Sequence, residues 1–319
     1  NRCCKWQWNL KEHKVKEKVI VIGGPTATGK TALSIELAKQ IGGEIISADS
    51  MLIYQGMDIG TAKPTMEERQ GVPHYMIDVV KPNQRFSVAE YKKGALEAIE
   101  TILAKGKVPI IVGGTGLYID TLVYGIDYPD VETDLAYRKE LKKRAETEGL
   151  AKLYEEAYQI DPEAMEKISS NDQKRICRVL ELYQATGKTK TQLEIESRKK
   201  GVPYEYHVFA LGMEREKLYE RINQRVDLMI EQGLIEEVEK IWKAYSEFPT
   251  AMQGLGYKEV VAYLQKEITK QEMIDKIKME TRRYAKRQIT WFKKNKETIW
   301  LDGFAGVQNN IAIILEEVK

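Results

Sequence analysis

Lys18-Val19-Ile20-Val21-Ile22-Gly23-Gly24-Pro25-Thr26-Ala27-Thr28-Gly29-Lys30-Thr31 decides the fold. Its first five residues form a short, β-branched run that stops at a glycine pair, the pattern of a buried strand. Gly24 to Thr31 then fits G-x-x-x-x-G-K-[ST], and Leu33, Leu37, Ala38 and Ile41 follow at helical spacing. Strand, glycine loop and helix in that order make a P-loop. Its glycines let backbone N–H groups converge on phosphate oxygens at a helix N-terminus, where the dipole favours negative charge. Gly24, Pro25, Thr26, Ala27, Thr28, Gly29, Lys30 and Thr31 are therefore candidate partners of a di- or triphosphate. Lys30 adds a point charge, and the Thr31 hydroxyl can ligate Mg²⁺. The loop alone says nothing of the reaction.

Working outward, Glu44-Ile45-Ile46-Ser47 reads as a second strand ending at Ala48-Asp49-Ser50, and Lys107 to Val112 as another. Between them, Tyr91 to Leu103 places Leu96, Ile99 and Leu103 on one helical face. Such alternation implies parallel βαβ units with ligands at the strands' carboxyl ends. After about Tyr124 the character changes, and Asp134 to Lys200 reads as charged amphipathic helices with almost no strand signal. Tyr206 to Leu211 is again a strand, followed by a long helix with Leu218, Ile222, Val226 and Met229 in phase. Thr298 to Asp302 closes the series. The expected fold class is α/β: a P-loop NTPase-like parallel-sheet core over residues 18–125 and 203–319, with an inserted all-α domain at 126–202. Residues 1–17 read as a basic tail.

The 319 residues suffice for about two domains. Charged residues at 31% and apolar residues at 43% exclude a fibrous or disordered class, and no apolar run approaches the roughly 18 residues of a membrane span. Three cysteines, Cys3, Cys4 and Cys177, give neither a disulfide framework nor zinc spacing, so a reducing, cytoplasmic setting is expected. The net charge of +2 hides two local basic clusters. One is Lys174, Arg175 and Arg178 in the helical insertion. The other runs through Arg282, Arg283, Lys286, Arg287, Lys293 and Lys294, interleaved with Tyr284, Trp291 and Phe292. Residues 283, 287, 290 and 294 share one helical face. Each cluster suits a phosphate backbone, or is simply a solvated face.

Asp49 lies just past the second strand, where the P-loop must also lie. A carboxylate there can hold Mg²⁺, bind a hydroxyl, act as a general base, or only close a turn. Gly113-Gly114-Thr115-Gly116 places bare backbone and one hydroxyl at another strand's end. Arg215, Arg221 and Arg225 surround the helix after the Tyr206 strand, and one of them is expected to clamp a phosphate. Spacing does not choose between them.

These pieces together resemble the tRNA dimethylallyltransferase family, also called tRNA isopentenyltransferases, in its bacterial form. The resemblance is carried by the P-loop, Ser47-Ala48-Asp49-Ser50-Met51-Leu52-Ile53-Tyr54, Met57 to Pro64, Gly71-Val72-Pro73-His74 and Gly113 to Tyr118. It continues through Asn171-Asp172 with Arg175 and Arg178, Gly254 to Glu259, and Ala285-Lys286-Arg287-Gln288-Ile289-Thr290-Trp291. Collinear from about Lys18 onward, they include stretches that P-loop kinases lack. Thr28 and Tyr75 depart from the common pattern without touching the chemistry, and no zinc-finger extension is expected.

The resemblance implies transfer of a dimethylallyl group from dimethylallyl diphosphate to N6 of the adenosine 3′ of a tRNA anticodon. It implies catalytic roles for Asp49, Lys30, Thr31 and Arg221, with Mg²⁺ at Thr31. Contacts to the tRNA anticodon stem-loop would come from Asp49, Ser50, Met51, Leu52, Thr115, Arg138, Lys174, Arg175, Arg178, Lys286, Arg287 and Lys293. One site per chain requires no protein partner, so a monomer is expected. The rival readings are a P-loop small-molecule kinase, an isopentenyltransferase of free adenine nucleotides, and a non-catalytic RNA-binding protein.

Overall fold

The computed structural model describes residues 16–128, 134–248 and 250–319. The expected tail therefore lies outside the described residues apart from Lys16 and Glu17. Six strands form one parallel sheet: β1 Lys18–Gly23, β2 Gly43–Ser47, β3 His74–Tyr75, β4 Val108–Val112, β5 Glu205–Gly212 and β6 Ile299–Asp302. Their order is β3-β2-β4-β1-β5-β6, with every pairing parallel. The α/β fold class expected from the P-loop and its flanking strands is borne out.

Both faces of the sheet are covered, which is why its strands read as continuous apolar runs. Val19, Val21, Ile46 and Ile111 pack on one side under helices α2 (Val88–Ala104) and α3 (Gly116–Val123). Ile20, Ile22, Ile45 and Ile110 pack on the other, under α1 (Lys30–Ile41) and the C-terminal helix Val307–Glu317. In α2 the buried face is Tyr91, Ala95, Ala98, Ile99 and Ile102. Leu96 and Leu103 sit at its edge instead of its centre, because small alanines bring the helix close to the sheet there.

Residues 135–199 contribute α4 (Leu135–Thr147), α5 (Leu150–Ile160), α6 (Pro162–Met165), α7 (Gln173–Thr186) and α8 (Lys190–Lys199). Leu141, Leu153, Met165, Ile176 and Leu180 form a core of their own. Its two chain connections meet: a Cβ at Gly125 would stand 3.1 Å from the Gly201 carbonyl oxygen.

After β5 come α9 (Arg215–Glu231), α10 (Leu234–Ala244), α11 (Tyr257–Leu264), α12 (Lys270–Phe292) and, after β6, α13 (Val307–Glu317). Helices α9 to α12 close around Ile53, Tyr54 and Met57, so the loop after β2 is roofed by the C-terminal helices. Phe292, at the end of α12, packs so tightly on Gly23 that no side chain fits there. That contact sets α12 against the strand that carries the P-loop.

Candidate active site

The P-loop holds its shape through backbone that glycine tolerates best. Gly24 has φ of +121° and Gly29 of +97°, and a Cβ at Gly24 would come within 2.5 Å of the Leu211 carbonyl oxygen. Thr28 Oγ1 donates to the Pro25 carbonyl at 2.9 Å, and Lys30 Nζ donates to the same oxygen at 2.6 Å. Helix α1 starts after Gly29 with no side-chain cap. Its first amides are thus left for an anion, the arrangement a phosphate requires.

The loop opens into a cavity of about 380 Å³ at the carboxyl ends of the strands. Thr26, Lys30, Thr31, Asp49, Ser50, Met51, Leu52 and Arg287 all line it, so the structure brings both the phosphate-binding set and much of the expected base-side set to one place. Its other walls are largely apolar, from Ile45, Ile77, Ile222, Val226, Met229, Leu255 and Ile277. A ligand held there has a charged end at the P-loop and an apolar body.

Asp49 follows β2 and is half-buried; its Oδ1 accepts the Met51 amide at 2.8 Å. That is the turn role weighed for it, yet a carboxylate retains a second oxygen and further lone pairs. Thr115 is tied to the same segment. Its amide donates to the Ala48 carbonyl at 3.1 Å, and its Oγ1 accepts the Ser50 amide at 3.1 Å. Thr115 is therefore fastened to both chain neighbours of Asp49.

Of the three arginines, Arg225 reaches the cradle: its Nη1 donates to Thr26 Oγ1 at 3.1 Å. Arg221, one turn earlier on α9, is exposed and does not line the cavity. The Arg215 guanidinium lies over the Tyr219 ring. Burial, helped by the Arg225 charge, pushes the Lys30 ammonium down to about 7, against a smaller upward pull from Asp49. Burial also lowers Arg225, with the Asp49 carboxylate opposing it. Two cations crowded beside one carboxylate leave a net positive site that an anionic ligand would relieve.

Thr31, Ser47 and Asp49 offer hard oxygen donors around this cavity, and Ser47 Oγ is buried with no partner. A Mg²⁺ held through one carboxylate and the ligand's own phosphates fits that set. Among the described residues no three His, Cys, Asp or Glu side chains converge, so an all-protein metal cage is not what the site offers.

The remaining candidates lie on outer surfaces. Lys286, Arg287 and Lys293 are exposed, as are residues 283, 290 and 294, so the basic face of α12 points outward as its spacing predicts. Phe292 is core, and the half-buried Trp291 ring packs against Gly116 with the Lys294 ammonium over it. On the insertion, Lys174 and Arg175 are exposed on α7, while Arg178 and Arg138 both engage Glu181. The Arg138–Glu181 pair is bidentate, with both bonds at 2.7 Å. None of these four lines the cavity.

Two polar groups at the centre escaped the reading of motifs. The Tyr284 phenol lines the cavity; burial first, then the Asp49 charge, pushes it up to about 12, against a smaller opposing pull from Thr115 and Gln288. Gln288 is 5% exposed and bonded at both ends of its amide. Their i, i+4 spacing on α12 was the available signal, since it marks a second face inside the basic one.

Residues 52–295 match the family described as IPP transferase. A tRNA dimethylallyltransferase from Acetivibrio thermocellus is 50% identical over 287 residues, covering 90% of this chain and 92% of that protein. Among solved structures, the full-length tRNA isopentenylpyrophosphate transferase from Bacillus halodurans is 41% identical with a TM-score of 0.71, covering 95% and 96% of the two chains. A eukaryotic dimethylallyltransferase acting on tRNA is 31% identical with a TM-score of 0.78, covering 95% of this chain and 79% of that one.

Proposed function

The chain belongs to the IPP transferase family, and from that premise we propose that it transfers a dimethylallyl group from dimethylallyl diphosphate to N6 of the adenosine 3′ of a tRNA anticodon. The observation that carries the reading is one cavity in which a P-loop, an apolar wall and Asp49 converge, with Thr115 bonded to the residues on either side of Asp49.

In this reading the diphosphate lies on the P-loop amides with Lys30 and Arg225 beside it, and the five-carbon chain faces the apolar wall. Mg²⁺, held by Thr31 with Asp49 or Ser47 nearby, supplies charge neutralisation of the leaving diphosphate when bound. Adenine N6 is a poor nucleophile because its lone pair is delocalised into the ring. As the N6–C1 bond forms, the allylic C1–O bond breaks and diphosphate departs with the electron pair. The N6 proton passes to the Asp49 carboxylate. The P-loop amides, Lys30 and Arg225 stabilise the growing charge on the departing oxygen. Arg221, exposed one turn away, is placed to meet a ligand that extends beyond the cradle. Thr115 orients the base, which leaves its single-stranded loop at a cost of a few kcal/mol. Lys286, Arg287 and Lys293, with Lys174, Arg175 and Arg178 on the insertion, supply the grip on the stem-loop. Arg138 joins them if its pair with Glu181 opens.

Labelled dimethylallyl diphosphate, offered with tRNA, with AMP, or with ATP and no RNA, tests this. Label is expected on tRNA alone. Hydrolysed ATP with unlabelled RNA would sink the reading, and label on AMP would move it to free nucleotides.

A further inference from the structure

One buried side chain joins the two halves of this site. Gln288 Oε1 accepts the Thr26 amide at 3.0 Å, and its Nε2 donates to the Gly114 carbonyl at 3.0 Å. Thr26 belongs to the P-loop. Gly114 precedes Thr115, whose amide and hydroxyl fasten the residues on either side of Asp49. A continuous path thus runs from the diphosphate cradle, through one carboxamide, to the groups that face the base.

The fit is close. A Cβ at Gly114 would overlap the Gln288 amide nitrogen, so that glycine exists to let the carboxamide in. Tyr284, one turn earlier on the same helix, lines the cavity beside it. Below it, Phe292 locks α12 onto Gly23 at the base of the P-loop. The polarity of the bridge is also fixed: one partner is a donor and the other an acceptor. A carboxylate would satisfy Thr26 and repel Gly114; only a primary amide of this length serves both.

From this we infer that Gln288 is a positioning residue that sets the distance between the prenyl donor and the adenine amine, an inference that rests on the prenyl-transfer reading. It lines the cavity, but both groups of its amide are taken by backbone, so in this role it acts on neither substrate directly. Its effect is on the geometry between two independently bound reactants, where a misplacement of about 1 Å costs on the order of 10²-fold in rate.

Gln288→Glu keeps the shape and the bond to Thr26 but loses the donor to Gly114, and Gln288→Asn keeps both groups one methylene short. With full-length protein, tRNA affinity is measured by filter binding and diphosphate affinity by calorimetry with inorganic diphosphate. Transfer is measured in a single turnover at saturating substrates. Gln288→Asn is expected to bind each ligand within about threefold of wild type while the single-turnover rate falls by roughly 10- to 100-fold. Gln288→Glu, whose carboxylate stands on the P-loop and opposes diphosphate, is expected to keep tRNA affinity and to show the same fall in rate at saturating donor. A wild-type rate in Gln288→Glu overturns the inference. So does a loss confined to the two affinities, which is what a merely structural glutamine would give. If Gln288→Glu fails to fold, as thermal unfolding will report, the asparagine variant carries the same comparison. A wild-type protein that leaves tRNA unlabelled overturns the prenyl-transfer reading itself, and that outcome is visible before any variant is made.

Discussion

The Lys30 ammonium titrates near neutrality because burial strips its water and Arg225 repels it. Bound diphosphate adds negative charge beside it and favours the protonated form, so the complex has the higher pKa. Between the two values, binding must take up a proton. Diphosphate affinity should therefore be level below about pH 7, where Lys30 is already charged, and weaken above it by up to tenfold per pH unit. Calorimetry from pH 6 to 9 reads this directly, and Lys30→Arg, charged throughout, should flatten the profile. An unchanged affinity between pH 7 and 9 in the native protein would mean the ammonium is not at the phosphate. Asp49→Ala makes the complementary case. As the proton acceptor it should cost roughly 10²- to 10⁴-fold in turnover while tRNA affinity stays within about threefold. Near-normal turnover would reduce Asp49 to the turn it closes with Met51.

Helix α12 is the element on which both halves of the site depend, and its two faces answer different experiments. Met273, Ile277, Ala285, Gln288 and Phe292 are buried. Phe292→Ala empties the contact with Gly23 and should cost about 3–5 kcal/mol in denaturant unfolding. A loss below about 1 kcal/mol would mean α12 is not what buttresses the P-loop strand. The outward face is tested by charge. Reversing Lys286 and Arg287 should lower the slope of log affinity for tRNA against log salt by about 0.7–0.9 for each phosphate contact removed. An unaltered slope would leave that face merely solvated. The outward face was legible in the sequence because charges at helical spacing declare themselves, and the strands were legible because doubly covered strands are uninterrupted apolar runs. The inward polar face was not. Gln288 meets residues 174 and 262 positions away, and nothing local distinguishes a buried bridging amide from an exposed one. Spacing cannot rank the three arginines and the resemblance points to Arg221, whereas it is Arg225 that the turn of α9 brings to Thr26. Strand β3, two residues long, has too little sequence to carry a pattern.

At the scale of the whole molecule, the insertion and the sheet are built on separate hydrophobic cores. Four of the insertion helices, α4 to α7, pack around Leu141, Leu153, Met165 and Ile176, and the sheet has its own two layers. The chain leaves and re-enters the sheet at adjacent points, Gly125 and Gly201, both at positive φ. Beside the buried Ile126, charge pins the seam: Asp127 pairs with Lys92 at 2.6 Å and with Lys200 at 2.7 Å, and Arg198 lies over the Tyr124 ring. These are partly exposed contacts, worth on the order of 1 kcal/mol or less each. Replacing residues 126–200 with a short glycine-serine link should therefore leave the sheet folded and diphosphate affinity within a few-fold. tRNA binding should suffer instead, since Lys174, Arg175 and Arg178 leave with the insertion. The salt slope should shrink by about 2–3 if all three meet phosphates. The two measurements separate the possibilities. Lost diphosphate binding would show that the insertion completes the cradle. Full tRNA affinity with an unchanged slope would show that the basic face of α12 holds the RNA unaided.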